Sequence, residues 1–268
     1  MSETNGAISV ARSRAVVYAG LANGFRYPDA DQAALVCNNR HCGEWAAALA
    51  CVIGAEAIDP FTAYRRGSRS TVCGHWTLEK LESAHNELFG HAVRGRCPAY
   101  ECEYGRSEIS QRASMLADLA GFYEAFGMTI VDTEAGRPDF IAVECEFMSV
   151  LCAKEAHGLE SGLTELVEES LHTQRLFLRD HLATWLPALS RRIVEAADHE
   201  FYVALGQCAD QFCRAEARRF EIRTGPRWLE LRPTDPESET SINCFDADDC
   251  GAQTGEQLVP LNVNLHQQ

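Results

Sequence analysis

Apolar positions recur at spacings of three and four along most of this chain, the period of helices with one buried face. The first such run starts near Ile8 and reaches Phe25, where Tyr27-Pro28-Asp29 stops it; residues 1–7 are polar and read as a frayed end. Helices are predicted over Asp31–His41 and Glu44–Ala55, and Asp59–Cys73 is mixed, with a basic loop at Arg65–Arg69. Thr77 can cap the next helix, Leu78, Leu81, Ala84, Leu88 and Phe89 give it a buried face, and Gly90 ends it. Gly95–Gly105 reads as a loop holding Pro98, Tyr100 and Tyr104, and Glu108–Phe126 as a strong helix ended by Gly127. A helix from Pro138 to His157 follows, with Gly158 behind it and Phe140, Val143, Phe147, Val150 and Leu151 on one face. Leu163–His181, Thr184–Ala197 and His199–Ile222 complete the set. Met128–Val131 is β-branched but too short to found a sheet.

After Gly225 the period is lost. Pro226, Pro233 and Pro236 stand among Asp, Glu, Ser and Thr, the composition of a loosely ordered segment. The pattern therefore predicts an all-α, single-domain bundle of about eight to ten helices over residues 1–225, with an extended polar tail over 226–268.

The chain is 46% hydrophobic and carries a formal charge of −15. Such acidity argues against nucleic acid as a partner, because phosphates need a basic surface. It suits a basic partner, and it also keeps a helical protein soluble. Arg12 and Arg14 before Ala15–Ala22 imitate a secretory signal, but the apolar run is short and Asn23 and Arg26 follow it, so an amphipathic first helix is the reading. No apolar stretch approaches the roughly 18 residues of a membrane span.

The 12 cysteines raise a metal or redox alternative. No Cys-x-x-Cys occurs; Cys37 and Cys42, Cys97 and Cys102, and Cys208 and Cys213 are each five apart, a poor spacing for zinc. His41 and Cys42 beside Cys37 are the best local set, and unpatterned thiols suit small buried residues in a reducing cytoplasm. Nucleotide-binding glycine motifs, His-Glu-x-x-His and the Gly-x-Ser-x-Gly elbow are missing from the sequence. Asp180-His181 raises a second alternative, a small helical enzyme, although neighbours on one helix point about 100° apart.

Two acidic clusters read either as structural loops, with their tyrosines folded onto the core, or as the walls of a site for a basic peptide. Glu134, Arg137, Pro138 and Asp139 gather at the start of the Pro138–His157 helix, which also bears Glu144. Tyr100, Glu101, Glu103, Tyr104 and Glu108 form an acidic, aromatic loop. Carboxylates can pair with guanidinium groups and aromatics can cover an apolar peptide.

The Glu134–Leu151 stretch resembles the signature of the TorD/DmsD/NarJ-type chaperones of molybdenum oxidoreductases, a Glu, a short spacer, Pro-Asp-His and a helix with Glu and Phe-Met. Glu134, Pro138, Asp139, Glu144, Phe147 and Met148 stand in those places, and Phe140 replaces the His. Leu21–Asp29, Asn86–Gly90, Cys97–Gly105, Leu119–Gly127 and Phe177–Pro187 are similar to other family segments, so the likeness covers roughly residues 10–215. The form of Tyr100–Gly105 looks closest to the branch serving dimethylsulfide and ethylbenzene dehydrogenases. The resemblance implies a cytoplasmic chaperone with no catalytic step and no cofactor of its own. Its partner would be the apo catalytic subunit with a twin-arginine signal peptide, which it holds until the molybdenum cofactor is inserted. Monomer and homodimer both remain open. Glu134, Arg137, Pro138, Asp139, Phe140 and Glu144 would bind the client; Tyr100, Glu101 and Tyr104 would face them, and Asp180, His181 and Trp185 would close the site.

Overall fold

The computed structural model describes residues 2–30, 39–54, 78–90, 95–105, 109–130 and 137–233. They form eight α-helices: α1 Ser2–Phe25, α2 Asn39–Ile53, α3 Leu78–Phe89, α4 Ile109–Ala125, α5 Ile141–Ser161, α6 Thr164–Phe177, α7 Ala183–Ala196 and α8 Glu200–Arg219. A 3-10 turn spans Glu101–Glu103 and a π turn spans Leu178–Leu182. The described residues hold no strand, only two isolated antiparallel bridges, Tyr100 with Phe140 and Tyr104 with Leu231. The all-α class read from the pattern holds. The chain divides into two units, Met1–Arg232 and Pro233–Gln268, and the first contains all eight helices. Most of the predicted Asp31–His41 helix, the basic loop at 65–69, Thr77 and Glu134 lie outside the described residues. No described helix is long and apolar enough to cross a membrane.

Helix α5 is the centre of the bundle, flanked by α1 and α6, while α7 pairs with α8 and α2 lies on α1. Its first three turns are buried on more than one face: Ile141, Cys145, Phe147, Met148, Leu151 and Cys152 are all inaccessible to solvent. One apolar stripe was expected; a helix enclosed by neighbours is apolar nearly all round instead. Ser149 Oγ donates to the Ala15 carbonyl at 2.9 Å and fixes the α1–α5 register.

Several boundaries differ from the pattern for identifiable reasons. Helix α1 begins at Ser2 and not Ile8, because its first residues are polar or small and show no apolar period, with residues 4–7 exposed. Pro138 lies in the turn before α5, whose first helical residue is Ile141. Gly158 is inside α5, where an added Cβ would meet Val167 Cγ2 at 2.8 Å; it permits close approach of α6. Gly162 ends the helix, in the left-handed region at φ 70°. Gly90 and Gly127 follow α3 and α4 as predicted.

The predicted break between His181 and Thr184 is a π turn in an otherwise continuous helical path, with the Ala183 N–H reaching back to the Leu178 carbonyl. Pro187 lies inside α7 and has no N–H for the Ala183 carbonyl four residues back. That carbonyl accepts the Gly225 N–H at 2.8 Å. Beyond Gly225, residues 226–232, which the pattern assigns to the tail, run extended and hydrogen-bond to the 103–105 loop.

A buried ionic network ties α1, α5, α6 and α8 together. The fully enclosed Arg14 guanidinium donates to Glu216 (2.5–2.9 Å), to Glu155 (2.7 Å) and to Gln174 (2.6 Å). Gln174 and Arg219 also donate to Glu155, and Tyr18 to Glu216, so two guanidinium groups balance two carboxylates.

Candidate functional site

Asp139 precedes α5 and is fully buried. Its carboxylate takes a two-pronged guanidinium contact from Arg137 (2.9 and 2.7 Å) and the Cys102 N–H at 3.0 Å. Its carbonyl accepts the Glu101 N–H at 2.9 Å, and the Ala99 carbonyl accepts the Ile141 N–H at 2.9 Å. The signature turn and the acidic loop are therefore clamped together by backbone and side chain. Phe140 packs its ring on Tyr100 at 5.4 Å, the Arg137 guanidinium lies 4.4 Å over Tyr100, and the Pro138 carbonyl accepts Tyr123 Oη at 2.8 Å.

Glu144 stands in the first turn of α5 with no solvent exposure. Oε2 accepts Trp185 Nε1 at 3.3 Å, and no described group hydrogen-bonds Oε1. Burial, reinforced by the charge of Glu101, pushes this carboxyl well above its ordinary range and so favours its protonated form. Tyr104 packs on Trp185 at 5.1 Å and donates its hydroxyl to the Pro98 carbonyl.

The π turn sends His181 inward and Asp180 outward. Both imidazole nitrogens are 3.1 Å from carboxylates, Nδ1 from Glu101 Oε2 and Nε2 from Asp118 Oδ2. Burial acts to lower the His181 pKa, but those two carboxylates outweigh it and raise it. Burial raises Glu101 in turn, against the hydrogen bond from His181. Asp180 pairs with Arg179 at 2.5–2.6 Å, is 39% exposed, and has its pKa lowered by that bond. Asp180 and His181 thus serve different partners and form no dyad.

Of the residues expected at the site, the structure gathers Tyr100, Glu101, Tyr104, Arg137, Pro138, Asp139, Phe140, Glu144, His181 and Trp185. Asp180 stays apart, and Glu134 is outside the described residues. The cluster is closed toward solvent on most sides; Arg137, Tyr100 and the 62%-exposed Asp118 form its accessible rim. Asp118, Tyr123 and Arg232 were not anticipated. Tyr123 lies in the similar Leu119–Gly127 segment, whereas Asp118 and Arg232 leave no periodic signal. A separate groove of about 810 Å³, lined by α1, α2 and Glu160, shares no residue with the cluster.

Six of the described thiols behave as apolar filling, while Cys51 is exposed. Cys97, Cys102, Cys145, Cys152, Cys208 and Cys213 are buried, and burial raises Cys97 to about 11 and Cys213 to about 12. Among the described residues no group of three His, Cys, Asp or Glu is placed to hold a metal ion. Cys37, part of the best local set, lies outside those residues.

Comparison with known proteins gives this cluster a context. Residues 55–191, which contain every one of the gathered side chains, match the family described as nitrate reductase delta subunit. The chain belongs to the nitrate reductase delta subunit family. It is 31% identical over 223 residues to the perchlorate reductase assembly chaperone protein of Dechloromonas aromatica (strain RCB), covering 81% of this chain and 93% of that one. It is 30% identical over 147 residues to the selenate reductase assembly chaperone protein of Thauera selenatis, covering 54% and 73%. Over 82 residues it is 35% identical to the chlorate reductase assembly chaperone protein of Ideonella dechloratans, covering 31% and 42%. The family match ends before the extended segment at 226–232, so that segment is no part of the matched core.

Proposed function

We propose that this protein is a dedicated assembly chaperone that binds the cofactor-free catalytic subunit of a molybdenum enzyme in the cytoplasm. The observation that carries this reading is the similarity to the perchlorate reductase assembly chaperone, which spans 93% of that protein's length. The chaperone performs no chemical step. It binds a non-native state selectively and shifts the assembly equilibrium by mass action. Holding the subunit, with its twin-arginine signal peptide shielded, leaves time for insertion of the molybdenum cofactor before export. The reductase relatives and the form of the Tyr100–Gly105 loop both favour a client among oxyanion reductases and the dimethylsulfide or ethylbenzene dehydrogenase type.

The client site in this reading has two layers. Arg137, Tyr100 and Asp118 form a rim that a basic peptide reaches, and the buried Glu103 pairs with Arg137 behind it; Glu134 belongs with them by the family signature. Asp139, Phe140, Pro138, Glu144, Glu101, Tyr104, His181 and Trp185 hold that rim from behind. The rim offers the Asp118 carboxylate to a guanidinium group and the Tyr100 ring to apolar side chains. Asp180 takes no part.

Capture of tagged protein from its native cells, with mass spectrometry of what is bound, tests this function. A molybdenum-enzyme catalytic subunit still carrying its twin-arginine signal is the expected catch. Its absence from the catch in cells that express it would reject the chaperone reading.

A further inference from the structure

The extended segment 226–232 lies against the signature loop as an added strand would. The Gly105 N–H donates to the Glu230 carbonyl at 2.8 Å, the Arg232 N–H donates to the Glu103 carbonyl at 3.0 Å, and Tyr104 faces Leu231 in an antiparallel bridge. The Arg232 guanidinium ends 3.6 Å from Glu103 Oε1, the same oxygen that Arg137 approaches at 3.7 Å. On its other side the loop is held rigidly by Asp139, through the amides of Glu101 and Cys102. The edge of residues 103–105 is thus a fixed template backed by the signature turn, and the segment on it presents Leu229, Leu231 and Arg232.

We propose that residues 226–232 are a displaceable strap, which in the free chaperone occupies the edge where an extended, arginine-bearing segment of the client docks. This rests on the chaperone reading above and names the chemistry of the segment recognised. Two backbone hydrogen bonds supply affinity, as in strand addition to an exposed edge. Glu103 selects a guanidinium, and the places of Leu229 and Leu231 select apolar side chains. The client's arginine replaces the charge that Arg232 withdraws, so the exchange leaves no carboxylate newly unpaired.

The strap is only partly buried. Leu229 and Leu231 are only half-buried, and Trp228 is 56% exposed, lying within reach of the Arg191 and Arg192 guanidinium groups at 5.4 and 5.1 Å. Upstream, the chain is pinned at Gly225. Its N–H is held by Ala183, and a side chain there would collide with the Thr184 carbonyl. Besides the two backbone bonds, Arg192 donates to the Leu229 carbonyl at 2.8 Å and Arg227 pairs with Asp210 at 3.3 Å, contacts that an incoming client segment displaces while Gly225 stays in place.

The test uses a fluorescein-labelled peptide with the sequence of residues 226–233, followed by anisotropy. It is titrated into the full chain, into the full chain carrying Leu229→Ser and Leu231→Ser, and into that variant with Glu103→Gln added. The strap-weakened chain should bind the peptide about tenfold or more tightly than the parent, because the competing occupant is removed. Glu103→Gln should undo most of that gain. Circular dichroism and thermal unfolding establish that each protein is folded, and Arg232→Ser is the milder variant should the double substitution fail to fold. Equal binding by parent and folded strap-weakened chain would overturn the proposal. The peptide is not the client, so this result is independent of whether a molybdenum enzyme is captured. In the capture experiment the strap-weakened chain should retain more of the catalytic subunit; tight peptide binding with unchanged capture would show that the edge is not the client's.

Discussion

Two buried polar clusters lie in this bundle, and they are built on different terms. Around Arg14, two guanidinium groups meet two carboxylates, with Gln174 and Tyr18 filling further hydrogen bonds. Around Asp139 and His181, the carboxyls of Glu101, Glu103, Asp118, Asp139 and Glu144 outnumber Arg137, His181 and Arg232, and Glu144 Oε1 has no hydrogen-bond partner among the described residues. The first cluster is closed and fastens four helices. The second is acidic, reaches the surface at its rim, and is completed in part by a strap that hydrogen-bonds from outside the helices. A balanced network suits a fixed joint; an acid-rich one suits a surface that accepts a cation.

The sharpest way to break this contrast is Arg14→Met. Removing one partner leaves Glu155 and Glu216 buried with too few donors, and a cost of about 3–5 kcal/mol is expected. Urea unfolding followed by circular dichroism would show it, and a loss below 1 kcal/mol would deny the network its fastening role.

His181→Gln should cost less, about 1–3 kcal/mol near neutral pH, since Glu101 loses a charged partner but keeps a possible donor. The sign of its pH dependence is fixed. The His181 pKa is raised in the fold, so its contribution is complete below its ordinary value of 6.5 and is lost as pH rises through the raised value. The parent should weaken with rising pH across that window, and the variant should show a flatter profile in unfolding experiments.

Glu144→Gln should act in the opposite direction. The fold favours the protonated form of this carboxyl, whereas the unfolded chain ionises it above about 4.5, so stability falls as pH rises from there. The amide retains shape without that penalty. Its melting temperature should exceed the parent's by a margin that widens with pH above that value and vanishes in acid.

Asp180→Asn should do least. It removes an exposed pair with Arg179, a change of no more than about 0.5 kcal/mol, and client capture should be unaltered. Loss of capture would return Asp180 to the site.

The two clusters also differ in how much the sequence discloses. The helices themselves are legible, because a buried face leaves an apolar period, and α3, α4, α6 and α8 begin or end close to where that period does. The signature cluster is legible through Pro138 and Asp139, whose types mark a nearby helix start, and through Glu144 by the family resemblance. The Arg14 network is not. Arg14 reads as one polar residue on an amphipathic helix, and Glu155, Gln174 and Glu216 stand 141 to 202 positions away. Choosing between Asp180 and His181 needed the π turn, which depends on backbone register and not on composition. Gly158 and Gly162 are alike in sequence, and only the crossing of α6 and the sign of φ separate a close contact from a helix end. Arg232 sits where the helical period has already ended, so nothing in the pattern ties it to Glu103.

The most direct test of the central claim is the molybdenum content of the client subunit purified from cells with and without this chain. Without it, the subunit should accumulate largely free of molybdenum, and the parent chain supplied in trans should restore the metal. A subunit that loads molybdenum fully in its absence would contradict the account.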